Sequence, residues 1–172
     1  MTPIRHTTIA TPLGDLTIVC SSFGVVATIF EDEERDPALA RVEHRFAERS
    51  SDASEARELA RAAGSQARGY LEGRIRSFSV PPDLTMVPHG FARRVLEVVT
   101  TIPFGELWTY GDVAGLSGSP RAARAAGSAL AGCPMELFVP CHRVVHASGT
   151  IGGYGRHEDR KRWLLRHEGA IP

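Results

Sequence analysis

Apolar positions set the expected elements of this chain before any chemistry is considered. Thr11 to Cys20 predicts a strand interrupted by a Pro-Leu-Gly turn, and Val25 to Glu31 a second strand, joined at Ser21 to Gly24 as a hairpin. Pro37 to Glu48 predicts a helix with proline in its first turn. Glu55 to Leu71 predicts another, with Leu59 and Ala63 on one face and Gly73 ending it. Arg74 to Val80 has the composition of a further strand, and Pro81-Pro82-Asp83 breaks regular structure. The chain is therefore read as two domains, 1–83 and 84–172. The first is a small α/β unit whose role is support.

In the second part the period becomes helical. Phe91, Val95, Val98 and Val99 fall on one helical face, which Pro103-Phe104-Gly105 ends. Thr109 with Asp112 three residues later predicts a capped short helix. Leu116 to Gly118 is a turn, Ser119 a cap, and Pro120 to Gly132 a second helix, so the pair reads as a helix-turn-helix. Its second helix is rich in small residues and carries Arg121 and Arg124. That pattern suits close approach to a nucleic-acid groove, and equally suits a tightly packed alanine core. Asp159 to Glu168 predicts an amphipathic helix with Trp163 and Leu164 inward and Arg160, Lys161 and Arg162 outward. Glu168 opposes the dipole at the end of that helix, which predicts a specific partner for its carboxylate.

Composition narrows the class only slightly. The 172 residues are 42% hydrophobic and 23% charged, as in an ordinary globular protein. No run approaches the roughly 18 apolar residues of a membrane span, and Met1 to Thr7 lacks a signal-peptide stretch. Cys20, Cys133 and Cys141 form neither a CxxC pair nor an even set, which points to a reducing cytoplasm and away from disulfides or structural zinc. Net charge is zero, but from Val87 onward ten Lys+Arg face seven Asp+Glu. Nearly all cations are arginine, suited to bidentate phosphate contacts. The balance permits a DNA partner without requiring one.

The segment Val139-Pro140-Cys141-His142-Arg143-Val144 concentrates the chemistry. A thiol beside a histidine can be deprotonated to the nucleophilic thiolate. Pro140 predicts a rigid strand end or bulge there. By itself the pair also describes a core cysteine beside an unrelated histidine. Soon after it, Gly149 to Gly155 is a glycine-rich loop around Tyr154, which can approach a ligand closely.

Five blocks taken together resemble the O6-alkylguanine-DNA alkyltransferases (methylated-DNA–protein-cysteine methyltransferases). They are Ile102-Pro103-Phe104-Gly105-Glu106 with Thr109-Tyr110, then Ala122-Ala123-Arg124-Ala125, then Pro140-Cys141-His142-Arg143-Val144, then Gly152-Gly153-Tyr154, then Arg160 to Leu165 with His167-Glu168-Gly169. Thr11-Pro12-Leu13-Gly14 is similar to the family's opening strand. The resemblance covers essentially the whole chain. It implies an N-terminal ribonuclease-H-like α/β domain and a C-terminal helical domain of winged-helix type. It implies a partner, alkylated double-stranded DNA, held in the minor groove with the damaged nucleotide flipped out. It implies no cofactor and no metal, because the transferred carbon already carries its leaving group. The family's secondary lesion is O4-methylthymine.

Residue by residue, the resemblance makes Cys141 the alkyl acceptor, His142 its base through a water, Glu168 the group that orients His142, and Tyr110 a proton donor to the leaving guanine. Arg124 is similar to the family's intercalating arginine, with Ser119, Arg121, Ala122, Ala125 and Gly127 beside it on DNA. Tyr154, Gly152, Gly153, Gly155, Val139 and Met135 would line the base pocket, and Arg143 would tie the strand end to the DNA-binding helix. The implied product is a stable thioether, so the protein is consumed in one turnover as a monomer. Cooperativity on DNA stays open. Five positions depart from the family pattern: Cys133 for a hinge asparagine, Glu136 for a small or apolar residue, Arg156-His157 for Gly-Gly, and Leu96 for tryptophan. The rivals are a lesion-binding protein that reacts slowly and a Cys-His hydrolase that turns over continuously.

Overall fold

Strand β2 (Leu16–Cys20) and strand β3 (Val25–Phe30) are buried along their whole length in the computed structural model, which describes residues 4–31, 35–46, 53–154 and 157–172. Such strands need cover on both faces. A further strand, β1 (Arg5–Ile9), pairs antiparallel with β2, and β2 with β3, giving the order β1-β2-β3. Helix α2 (Ala53–Leu71) covers one face, where its Gly64 meets Thr7 and Ile9. A Cβ at Gly64 would come within 2.8 Å of the Thr7 methyl, so the small residue sets how closely helix and strand approach. Helix α1 (Arg35–Phe46) packs Leu39, Val42 and Phe46 against Val19, Ala27 and Ile29, which alternation places on the opposite face.

Three sequence expectations change here. Strand β1 carries no apolar alternation to mark it, since Arg5, His6, Thr7 and Thr8 are all polar. The inner face of α2 is Ala56, Ala60, Ala63, Ala67 and Tyr70, with Leu59 only half-buried. Arg74 to Val80 forms no strand. The Gln66 side chain takes the N–H groups of Ser79 and Val80 (2.8 and 3.2 Å), so the ladder donors are already used.

Internal contacts divide the chain into Met1–Met86 and Val87–Pro172. Pro81 to Asp83 belongs to the first unit, since Val25 exchanges hydrogen bonds with Pro81 and Asp83. In the second unit, α3 (Phe91–Val99), α4 (Tyr110–Leu116) and α5 (Ala123–Ala131) pack on one another. The α4 cap is a full capping box: Thr109 Oγ1 accepts the Asp112 N–H, and the Asp112 carboxylate accepts the Thr109 N–H. Helix α5 starts later than its sequence suggests. Ser119 donates its N–H to Ala114 O, and its own carbonyl accepts the Ala122 N–H, so Ser119 to Ala122 is a turn and Ala122 the cap. Two-residue strands β4 (Trp108–Thr109) and β5 (Val144–Val145) pair in parallel. The register Thr109↔Val145 brings the first residue of α4, Tyr110, beside the chain leaving Cys141. Helix α6 (Glu158–His167) closes the unit against the Cys141 turn. The whole is a mixed α/β chain, with six α-helices and two small sheets among the described residues. No helix among them is long and apolar enough to cross a membrane.

Candidate active site

The reactive cysteine sits on a turn of 3-10 helix, Cys141–Arg143, rather than on an extended strand end. The approach to it is tight. Leu137 takes φ +77°, unusual for a residue with a side chain, and Val139 N–H bonds Met135 O at 2.9 Å. A 3-10 turn separates successive side chains by about a third of a revolution, so Cys141, His142 and Arg143 point to different neighbours.

His142 and Arg143 converge on one carboxylate. His142 Nε2 lies 2.7 Å from Glu168 Oε1, and both side chains are fully buried. Arg143 donates from Nη2 to Oε1 at 2.9 Å and from Nε to Oε2 at 3.0 Å, while its Nη1 donates to Ile102 O at 2.5 Å. Gly105 N–H completes the shell of Glu168, donating to Oε2 at 2.9 Å. Arg143 is thus tied to Glu168 and to the loop after α3, not to α5 as expected. An ionised Glu168 accepts the Nε2 proton, which leaves Nδ1 as the lone-pair nitrogen of a neutral imidazole. The histidine is held below its ordinary pKa, first by burial, against the opposite pull of Glu168.

Cys141 is 4% exposed, and its thiol is pushed well above the ordinary range. The largest cause is a hydrogen bond with the Cys133 thiol, followed by burial, the charge effect of Cys133 and the carboxylate of Glu136; Lys161 pulls the other way. The resting group is therefore a thiol at neutral pH and needs a base to react.

Lys161 overturns the expected orientation of α6. Lys161 is 0% exposed and Arg160 is buried, whereas Trp163 is half-buried, stacked on His167 with ring centroids 5.0 Å apart. Lys161, Leu164, Leu165 and Glu168 share the inner face at helical spacing. The ammonium donates to Val144 O at 2.6 Å and lies 5.7 Å from the Tyr110 ring centroid. Burial lowers its pKa to about 8. A signal for it was present: Lys161 is the single lysine in a chain of nineteen arginines.

A cavity of about 480 Å³ opens onto Cys141. Tyr110, Arg124, Gly127, Glu136, Gly153 and Tyr154 are among its lining residues, and so is His146, which sequence reasoning passed over. His146 packs on Tyr110 with centroids 5.0 Å apart. Gly152, at φ +73°, lets both rings come close, since a Cβ there would lie 2.9 Å from His146 Nε2 and 3.1 Å from the Tyr110 hydroxyl. Tyr110 and Tyr154 are both raised above the ordinary phenol range, chiefly by burial. The Tyr154 hydroxyl is buried with no hydrogen-bond partner among the described residues.

The other expected site residues divide clearly. Arg124 lines the cavity mouth and is exposed, as are Arg121 and Ala125. Ser119, Arg121 and Ala122 with Pro120 surround a shallow surface depression at the start of α5. Val139 and Met135 are buried and are not among the lining residues. Gly155 and Arg156 lie outside the described residues. Among those residues no cluster of three His, Cys, Asp or Glu could hold a metal ion.

Residues 90–170 match the family model of the 6-O-methylguanine DNA methyltransferase, DNA binding domain. A methylated-DNA–protein-cysteine methyltransferase of Shigella flexneri is 36% identical over 167 residues, 95% of this chain and 94% of its own. The O6-methylguanine methyltransferase of Mycobacterium tuberculosis superposes with a TM-score of 0.78 at 32% identity, covering 98% of this chain and 95% of its own. A structure of the Mycobacterium tuberculosis OGT in complex with DNA superposes with a TM-score of 0.76 at 32% identity, over 97% of this chain and 94% of its own. The chain belongs to the methylated-DNA–protein-cysteine methyltransferase family.

Proposed function

We propose that this protein repairs DNA by direct reversal, moving the methyl group of O6-methylguanine, and secondarily of O4-methylthymine, irreversibly onto Cys141. The observation that carries the reading is the buried chain Glu168–His142 beside a thiol that faces a nucleotide-sized cavity. In this reading the 1–83 part is the ribonuclease-H-like support, and the 84–172 part a winged-helix-type domain that binds DNA and transfers the alkyl group.

The steps follow from the groups present. Helix α5 enters the minor groove, and exposed Arg124 fills the stack vacated by the flipped nucleotide. Neutral His142 takes the Cys141 proton through one water, and Glu168 stabilises the imidazolium that results. Lys161 favours the thiolate as it forms. Sulfur attacks the methyl carbon in line, the new S–C bond forms, and the C–O6 bond breaks. Tyr110 gives its proton to the departing guanine, whose leaving is easier as a neutral base, and is reprotonated by the proton that His142 took from Cys141, relayed through solvent. The thioether has no group nearby that reverses it, so each chain acts once.

A repair assay on a duplex with one O6-methylguanine tests this. Restored guanine should plateau at one per protein chain. Continued turnover beyond one equivalent contradicts the reading and favours a hydrolase.

A further inference from the structure

We propose that Glu136 and Tyr154 form a subsite for the far end of the transferred group, accepting O6-alkyl chains that end in a hydrogen-bond donor or cation and disfavouring those that end in an anion. The inference rests on the alkyl-transfer reading above and concerns its substrate range.

A pocket meant only for a methyl group has no use for a carboxylate in its wall. Glu136 lines the cavity with Cys141 and Tyr154, and its side chain is 20% exposed. It is fixed in place: Arg160 Nη1 donates to Glu136 Oε2 at 2.9 Å, and the Arg160 side chain is only 5% exposed. Arg160 does not itself line the cavity, so the anionic partner is the one presented to a ligand. The second observation is independent. Tyr154 is 5% exposed, lines the same cavity, and its buried hydroxyl lacks a hydrogen-bond partner among the described residues. A buried polar group left this way is costly unless a ligand or water completes it. A methyl group cannot complete it, whereas a terminal hydroxyl can accept the phenol proton; an ammonium, which only donates, would be held by Glu136 instead.

The two groups share one electrostatic neighbourhood with the nucleophile. Glu136 pushes up both the Cys141 thiol and the Tyr154 phenol. An anionic adduct end would meet that carboxylate and the forming thiolate in a partly buried pocket, where like charges repel more strongly than in water. Among the described residues Arg160, already paired with Glu136, and two further cations temper this. Lys161 is turned toward Val144 O, and Arg124 is exposed at the mouth, where salt screens it. The transfer step is unchanged: sulfur bonds to the carbon attached to O6, that C–O6 bond breaks, guanine takes the proton, and the chain end is untouched.

The test uses four duplexes carrying O6-methyl-, O6-(2-hydroxyethyl)-, O6-(2-aminoethyl)- or O6-carboxymethylguanine, at 0.15 M salt. Single-turnover rates are measured for wild type, Glu136→Gln and Tyr154→Phe, each divided by that protein's own O6-methyl rate. Glu136→Gln should raise the carboxymethyl ratio and lower the aminoethyl ratio, each by about tenfold. Tyr154→Phe should lower the hydroxyethyl ratio by about threefold to tenfold. Ratios within twofold of wild type in Glu136→Gln overturn the inference while leaving the repair reading intact. If Glu136→Gln does not fold, the Tyr154→Phe ratio decides in the same way. Absence of transfer from O6-methylguanine by wild type overturns the repair reading and the inference with it.

Discussion

His142 and Glu168 are 26 residues apart in sequence and joined by a 2.7 Å hydrogen bond in which neither side chain meets solvent. The same carboxylate pairs with buried Arg143. Glu168→Gln removes the charge from both relationships. Loss of an ion-pair partner in a buried site typically costs about 3–5 kcal/mol, and loss of the carboxylate that orients a catalytic histidine up to about 10⁴ in rate. The variant should therefore melt several degrees lower and transfer methyl at least about a hundredfold more slowly. Near wild-type rates in a single-turnover assay would remove Glu168 from the mechanism.

Burial holds His142 below its ordinary pKa. The unfolded chain thus binds this proton more readily than the folded one. The sign follows: stability from neutral His142 is complete above the unfolded value of about 6.5 and declines as pH falls through the folded value. The base also keeps its neutral form to lower pH than a free imidazole does. The transfer rate should therefore fall off at lower pH than a free histidine would impose, with melting temperature declining below pH about 6.5. A rate that halves near pH 6.5 would mean that the histidine is not protected.

Lys161 opposes stability and supports chemistry. Its pKa falls from 10.5 to about 8, so a buried charge costs about 3 kcal/mol at neutral pH. Because the folded pKa is the lower one, that cost is relieved as pH rises from about 8 toward 10.5. Lys161→Met loses the charge and with it the pull on Cys141. Methyl transfer at pH 7 should slow by about tenfold. The melting temperature of the variant relative to wild type should fall as pH rises from about 8 to 10. A difference that grows over this range contradicts the assignment.

Cys133 is the largest cause of the raised Cys141 pKa. Cys133→Ala should lower that pKa, and alkylation of Cys141 by iodoacetamide at pH 7.5 should quicken by several-fold. An unchanged pH profile would mean that the two thiols do not interact in solution.

Arg124 is exposed at the cavity mouth. Arg124→Ala should slow repair of O6-methylguanine in duplex far more than reaction with free O6-benzylguanine. Equal losses on both substrates would contradict an intercalating role.

Much of this site was legible before the fold, for identifiable reasons. The Thr109–Asp112 box is a local device, and its geometry follows from residue type and spacing alone. Glu168 stood out because a carboxylate at a helix C-terminus conflicts with the dipole, and its partners proved to be His142 and Arg143. What was missed is tertiary. Arg160 and Lys161 were assigned to solvent by charge, yet Glu136 and Val144 O supply the partners that allow them inside. Arg74 to Val80 had strand composition and no neighbour to pair with, and Gln66, 13 and 14 residues away, took its donors. His146 carries no local pattern, and only the β4–β5 pairing sets it against Tyr110.

The central claim is that Cys141, and no other thiol, receives the alkyl group. Intact-mass spectrometry and peptide mapping after incubation with an O6-methylguanine duplex test it most directly, with Cys141→Ala as the control. The account predicts one added methyl per chain, on Cys141, and none in the control. A methyl on Cys133, or lesion-selective binding with no added mass, would contradict it.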